Sequence, residues 1–405
     1  MANLSGQNNR IVSGMRPTGQ LHLGNFHGAL ANWVELQYRY ECYFFVADWH
    51  ALTTGYENTS DLKANTHEVL IDWLAAGLNP SACTIFVQSR VPEHAELHLT
   101  LSMITPLSWL ERVPTYKDQI EQLKDKDLGT YGFLGYPLLQ SADILMYRPE
   151  YVPVGEDQVA HVEITREIAR RFNHIYGREP DFESKVEGAI KRLGSRSSSR
   201  YAELRRKFQE QGDAAALAEA RTLIESGSRL TVADRERLLG HLEGRGRVIL
   251  PEPSVLLTRS PKVPGLDGRK MSKSYGNTIN LREDPASVEK KLKAMQTDPA
   301  RVRRSDPGEP DKCPVWDLHK IYSDEKTQAW VQSGCRSAGI GCLDCKKPLI
   351  ESVLKELAVI RQRAREYEDN PALVRGIVAE GCERAREAAR ATMTEVREAV
   401  GLESR

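Results

Sequence analysis

The sequence predicts an α/β protein: a doubly wound parallel sheet with a C-terminal all-helical domain. Two observations carry this. Over residues 10–174 short apolar runs alternate with stretches of helical period, the pattern of parallel strands joined by crossover helices. Beyond about Pro285 the strand-like runs stop and helical periodicity continues almost to the end. In order, Arg10–Ser13 reads as a strand, His22 to about Gln37 as a helix, Cys42–Ala47 as a strand, Asp61–Ala76 as a helix and Cys83–Gln88 as a strand. Residues 184–246 change character. Ser195, Ser197, Ser198 and Ser199 form a breaker cluster, while Tyr201–Gln211 and Val232–Leu242 read as charged amphipathic helices. With 13 Lys/Arg against 9 Asp/Glu, this stretch is mildly basic and reads as an inserted helical module. The chain returns through strand-like Val248–Leu257 to a loop bearing Gly265 and Gly268. It then forms helices over Pro348–Arg365, with the proline at a first turn, and over Ala372–Val400. The boundaries that follow are 1–183 and 247–285 for the two parts of the sheet domain, 184–246 for the insertion and 286–405 for the helical domain.

A chain of 405 residues with 40% hydrophobic content can bury more than one core. Its 56 basic and 56 acidic side chains cancel, which excludes a global field for nucleic acid and leaves any RNA contact to local patches. The segment Met1–Arg10 is polar, and no apolar run approaches the roughly eighteen residues of a membrane helix. The expectation is a cytoplasmic protein with no membrane partner, whose seven cysteines are reduced.

Two segments carry chemistry. Ser13 to Asn25 follows the first strand and opens a helix, where free backbone N–H groups and the positive end of the helix dipole suit a polyphosphate. Lys270-Met271-Ser272-Lys273-Ser274 places two lysines on a glycine-flanked loop, able to close on the same phosphates. Neither Gly-x-x-x-x-Gly-Lys nor Gly-x-Gly-x-x-Gly occurs, so a P-loop and a dinucleotide fold are not indicated.

His22-Leu23-Gly24-Asn25 resembles the His-x-Gly-His signature, and Lys270 to Ser274 the Lys-Met-Ser-Lys-Ser signature, of class I aminoacyl-tRNA synthetases. Asparagine at position 25 keeps an N–H donor but carries no proton, so its role is hydrogen bonding. Ser13-Gly14-x-x-Pro17-Thr18-Gly19, Ala142-Asp143-Ile144-Leu145 and Val152 to Gln158 resemble the bacterial tryptophanyl members of that class, over nearly everything except residues 184–246. The resemblance implies a Rossmann-like catalytic domain, L-tryptophan, ATP with Mg2+ and tRNA(Trp) as ligands, and a homodimer. It places Arg16, Pro17, Thr18, Gly24 and Asn25 along the ATP phosphates, Gly155, Glu156 and Asp157 near ribose and adenine, and Asp143 on the indole N–H. Position 16 is glutamine in much of the family, and the arginine here adds a charge.

In such a reaction the amino-acid carboxylate attacks the α-phosphorus of ATP already ionised, so no general base is needed. Catalysis rests on positioning and charge neutralisation. His22, Asn25, Lys117, Lys270 and Lys273 are the candidate groups. A buried carboxylate such as Asp143 is satisfied only by a substrate that brings a donor. Tyr136, Gln140 and His50 could border the amino-acid pocket. The spacing Tyr136-x-x-x-Gln140-x-x-Asp143 also occurs in tyrosyl enzymes, but Val12 offers an apolar wall where those place a tyrosine. A non-catalytic RNA-binding relative is the other alternative, against which the complete Lys270–Ser274 loop stands.

His94-x-x-x-His98 lacks a third ligand and reads as a plain helix face, and the six tryptophans as core residues. Cys313-x21-Cys335-x6-Cys342-x2-Cys345 is a soft, all-sulfur ligand set that suits Zn2+ or a [4Fe-4S] cluster. Spacing alone favours zinc. Resemblance to a subset of tryptophanyl enzymes with an iron–sulfur cluster in the anticodon-binding domain favours the cluster. Arg301, Arg303, Arg304, Lys346 and Lys347 flank these cysteines and read as one basic surface for tRNA phosphates.

Overall fold

The structure, a computed structural model, describes residues 9–114, 116, 128–177, 181–244, 246–258 and 261–402. It divides into two compact units, the first of residues 1–13, 88–256 and 382–405, the second of residues 14–87 and 257–381. Strands β1 (Arg10–Met15), β2 (Glu41–Val46), β3 (Cys83–Val87), β4 (Tyr151–Val154) and β5 (Ser254–Leu257) form one sheet in the order β3-β2-β1-β4-β5. The pairs β1–β4 and β2–β3 are parallel, in register at Ile11 with Tyr151 and from Cys42 with Cys83 to Val46 with Val87. The order runs outward in both directions from β1, as a doubly wound sheet requires.

In the second unit the helical run after β1 comprises α1 (Leu23–Asn25), a π-helical turn (Phe26–Leu30) and α2 (Ala31–Leu36). Next come α3 (Asp48–Gly55) and α4 (Leu62–Ala76), whose Val69, Leu70, Ile71, Trp73 and Leu74 are buried. Trp33 stacks on Phe44 at 4.6 Å and meets Trp73 edge-on at 5.2 Å, so these two tryptophans are core as expected, whereas Trp330, 44% exposed, is not.

The first unit contains α5 (Glu93–Ser102), α6 (Leu107–Glu111), α7 (Tyr131–Leu134), α8 (Tyr136–Met146) and α9 (Val159–Tyr176). α8 is buried along most of its length because α5 and α9 both pack on it. The inserted stretch forms α10 (Phe182–Leu193), α11 (Ser195–Gln211), α12 (Ala214–Glu225) and α13 (Val232–Leu242) around a core of its own that includes Tyr201, Leu204, Ile224, Leu238 and Leu242. The serine cluster is not a breaker. It opens α11, with Ser198 Oγ donating to the carbonyls of Ile190 and Gly194 and Ser199 Oγ to that of Ser195, which satisfies the hydroxyls without unwinding the helix.

The expected strand over Val248–Leu257 exists only at β5. Asn173 on α9 explains the difference: its Oδ1 accepts from the backbone N–H groups of Ile249 and Leu250 at 2.9 and 3.0 Å, and its Nδ2 donates to Leu250 O at 2.7 Å. A side-chain amide thus takes the place of a strand partner. In the second unit, α14 (Pro285–Ala294), α15 (Pro314–Tyr322), α16 (Glu325–Arg336) and α17 (Cys342–Asp369) follow the loop, and α18 (Pro371–Val400) begins in the second unit and runs on from Cys382 in the first. Pro348 lies inside α17 rather than in its first turn, because the cysteine segment before it is itself helical.

Candidate active site

Within the second unit the two lysine- and histidine-bearing segments are knitted together by backbone pairing. Leu23 N donates to Ile279 O at 3.0 Å and Leu281 N to Leu21 O at 2.9 Å, an antiparallel bridge centred on His22 and Asn280. Asn25 Oδ1 accepts from the His22 backbone N–H at 3.2 Å, capping the helix start. Gly24 is required by close approach, since a Cβ there would lie 3.0 Å from Cε1 and Nδ1 of the His22 ring. Lys273 Nζ donates to Thr18 O at 2.6 Å, so residues 255 positions apart meet on the exposed side of the same loop pair. Asn277 organises the lysine loop. Its Nδ2 donates to Asp267 Oδ1 at 2.7 Å and its Oδ1 accepts from Ser272 N at 2.8 Å, and a Cβ on Gly265 would strike its side chain.

His22 is buried, and burial, together with the Lys273 charge, lowers its pKa from 6.5 to about 4. The ring is neutral at pH 7 and offers a hydrogen bond rather than a charge. Its Nδ1 has no partner among the described residues. Burial also lowers the Lys273 pKa, against an opposing pull from the Asp72 carboxylate. The His22 shift has a stability consequence. Between pH 6.5 and about 4 the unfolded chain binds a proton that the folded one refuses, so stability is lost as pH falls through that window. The melting temperature of His22→Gln should therefore fall less than that of the parent between about pH 7 and about pH 5. Equal falls would show that the ring is not the source.

In the first unit Asp143 on α8 is 1% exposed and already held on one side. Gln88 Nε2 donates to both of its oxygens at 2.8 and 2.9 Å, and His94 Nδ1 lies 2.6 Å from Oδ1. A carboxylate only accepts, so Nδ1 carries the proton; in the neutral ring Nε2 then accepts from Tyr147 Oη at 2.7 Å. His94 is therefore not a plain helix face: it is fully buried and belongs to the Asp143 network. Sequence reasoning missed Gln88 and His94. The available signal was their place at the carboxyl end of β3, where ligand-facing residues of a parallel sheet collect.

The other expected residues are divided between the two units. Val12 is wholly buried in β1, and Tyr136 is 9% exposed with its ring 5.7 Å from Phe133 and 5.9 Å from His161. Gln140 is half-buried on α8, and His50 half-buried on α3 in the second unit. Pro17 is buried between exposed Arg16 and Thr18. In the lysine loop Met271 is buried, Ser272 half-buried, and Lys270 and Ser274 exposed. Gly155 precedes a 3-10 turn over Glu156–Gln158, with Glu156 exposed. Lys117 and the side chain of Asp157 lie outside the described residues.

Cys313, Cys335, Cys342 and Cys345 are free thiols in the second unit and share one neighbourhood. Burial raises the Cys345 pKa to about 12, and the charges of the other three add to it. Among the described residues no group of three or more His, Cys, Asp or Glu side chains has the arrangement of a metal site. Arg301 NH1 lies 3.9 Å from Cys335 Sγ, while its NH2 donates to Ile340 O at 2.6 Å. The expected basic surface is smaller than the sequence suggests. Arg301 is buried, and Lys346, 3% exposed, donates to the carbonyls of Lys293 and Met295, which leaves Arg303, Arg304 and Lys347 exposed.

Residues 4–192 and 224–358 match the family of class I tRNA synthetases (W and Y). The chain is 63% identical over 393 residues to the tryptophan–tRNA ligase of Ralstonia nicotianae, covering 97% of this chain and 98% of that one. It is 45% identical over 395 residues to the tryptophan–tRNA ligase of Thermotoga maritima, covering 97% and 99%. Among solved structures, the tryptophanyl-tRNA synthetase of Campylobacter jejuni complexed with ADP and tryptophan superposes with a TM-score of 0.71 at 27% identity, covering 97% of this chain and all of that one.

Proposed function

The chain belongs to the class I tRNA synthetases of the W and Y group, among its bacterial tryptophan–tRNA ligases, and from that premise we propose which residues do the work. The ligase joins L-tryptophan to tRNA(Trp), forming tryptophanyl-adenylate and pyrophosphate from ATP and then the ester on the terminal adenosine of the tRNA. ATP enters with Mg2+, and its phosphates lie along Arg16, Pro17, Thr18, Gly24 and Asn25, with Lys270 to Ser274 closing over them. The observation that carries this reading is Lys273 Nζ on Thr18 O, which brings the ammonium of the lysine loop onto the first signature segment. Neutral His22 and the Asn25 amide add hydrogen bonds. Lys270, Lys273 and Lys117, the last from the run Thr115-Tyr116-Lys117, neutralise charge as pyrophosphate leaves. Gly155 to Asp157 take the ribose and adenine.

Asp143 accepts the indole N–H, with Tyr136, Gln140, His50 and Val12 as further candidate tryptophan-binding residues. Its support is a buried carboxylate oriented by Gln88 and His94. ATP–pyrophosphate exchange with each amino acid separately tests the whole reading: tryptophan is expected to support exchange and tyrosine not, and the opposite preference would overturn it. The functional division is 1–183 with 247–285 for adenylation, 184–246 as an accessory module and 286–405 for the anticodon. The separate core of the insertion supports it. A homodimer accounts for Leu99, Met103 and Leu107, 58 to 72% exposed on α5, α6 and the turn between them.

The four cysteines are a soft, all-sulfur donor set of the chemistry that a [4Fe-4S] cluster takes, with Zn2+ as the alternative, although their side chains do not have the arrangement of a metal site here. When bound, the group would fix the fold of the helical domain, since ligation to tRNA transfers no electrons. The all-sulfur set in the spacing Cys313-x21-Cys335-x6-Cys342-x2-Cys345 supports this reading. Anaerobically purified protein is expected to be brown with about four irons and four sulfides per chain. Cys342→Ser should lose them and impair tRNA charging more than exchange. Stoichiometric zinc in a colourless preparation would refute the cluster.

A further inference from the structure

We propose that Asp72 and Arg282 are positioning residues that hold the two signature segments in register for adenylation. Asp72 lies on α4 with no exposed surface. Its Oδ2 accepts the backbone N–H of Leu21 at 2.6 Å, and its Oδ1 accepts from Arg282 Nε at 2.6 Å. Leu21 immediately precedes His22. Arg282 immediately follows Leu281, whose N–H donates to Leu21 O in the bridge described above. One carboxylate thus grips both the segment that enters the helix N-terminus and the segment that leaves the lysine loop.

The guanidinium is shared. Arg282 also pairs with Glu68 and Glu368, and Glu68 accepts from Gln20 Nε2 at 3.1 Å, so the clamp reaches one residue further into the first signature. Stability alone does not call for such a cluster, because well-packed apolar groups of the same volume commonly do as well as a buried ion pair. What a carboxylate adds is direction. It fixes a backbone N–H and an Arg Nε to within tenths of an ångström, where a misplacement of about 1 Å can cost about 100-fold in rate. Asp72 also acts at a distance, since its charge opposes the effect of burial on the Lys273 ammonium.

The inference rests on Lys273 acting in adenylation, so the test carries Lys273→Ala as its own arm. Tryptophan-dependent exchange is measured for Asp72→Asn, Arg282→Lys, Lys273→Ala and the two double variants with Lys273→Ala. Melting temperatures establish which of them fold, and Arg282→Lys, which keeps the charge but loses the fork, carries the test if Asp72→Asn does not. Each clamp variant is expected to lower kcat by about 10- to 100-fold while leaving KM for tryptophan unchanged. Added to Lys273→Ala, it should cost far less than the product of the single losses, because no ammonium remains to be placed. Multiplicative losses, or a rise in tryptophan KM with kcat unchanged, would make the pair merely structural and overturn the inference. Clamp variants with wild-type kcat beside a slow Lys273→Ala would overturn it alone. A Lys273→Ala variant with wild-type kcat would overturn the loop assignment and the inference together.

Discussion

Asp143→Ala is expected to lower kcat/KM for tryptophan activation by about 2–5 kcal/mol, the loss for truncating a buried, hydrogen-bonded charge. That is about 30-fold to several thousand-fold in rate. The carboxylate is buried and gripped by Gln88 and His94, so its orientation toward a donor is set before substrate arrives. The same substitution removes a buried hydrogen-bond partner of the Gln88 amide and of the His94 N–H, at a cost of about 1–3 kcal/mol of stability. The kinetic loss must therefore be read on protein shown to be folded at the assay temperature. Gln88→Ala provides the comparison, since it removes one support while leaving the acceptor itself. Unchanged tryptophan kinetics in folded Asp143→Ala would remove this residue from the recognition site.

The second large effect is expected at Lys273. With alanine there, the adenylation rate should fall by about 100- to 1,000-fold, the usual loss when a donor aimed at developing charge is removed. The ATP KM should change far less. In the free protein the ammonium sits on Thr18 O, a neutral carbonyl, and its contact with the phosphates is expected to strengthen most as negative charge builds on the departing pyrophosphate. Steady-state kcat and KM for ATP, measured with saturating tryptophan, separate the two possibilities. A loss confined to KM would make Lys273 an anchor for bound ATP in the ground state.

Contiguous segments and their local structure were legible in the sequence. His22 to Asn25, Lys270 to Ser274 and Asp143 each sit in a short run whose residue types and local structure can be read in place, and helices such as Val232–Leu242 occur where their apolar period ends. What was missed has one physical cause. Gln88 and His94 meet Asp143 across about fifty positions of chain, and Asp72 meets Leu21 and Arg282 across 51 and 210. Nothing in the local pattern of a buried Asp on an apolar helix distinguishes a clamp from an isolated charge.

Local composition also misjudged residues whose partners are distant. The serines around position 197 look like a breaker until the Ser198 and Ser199 hydroxyls find backbone carbonyls, and Lys346 looks like a surface charge until it caps the carbonyls of Lys293 and Met295. The sequence by itself determined the sheet-and-helix alternation, the helix that opens at His22, the lysine loop and the four-cysteine set, because periodicity, capping and residue type act over a few neighbours. Only the tertiary structure decided that the lysine loop is tied to the helix start through Asp72, Arg282 and the Leu21–Leu281 bridge. It also decided that His22 is neutral and that Asp143 is held by Gln88 and His94. Hydrogen-bond geometry and desolvation depend on which groups the fold brings to within about 3 Å and removes from water, and chain order does not encode that proximity.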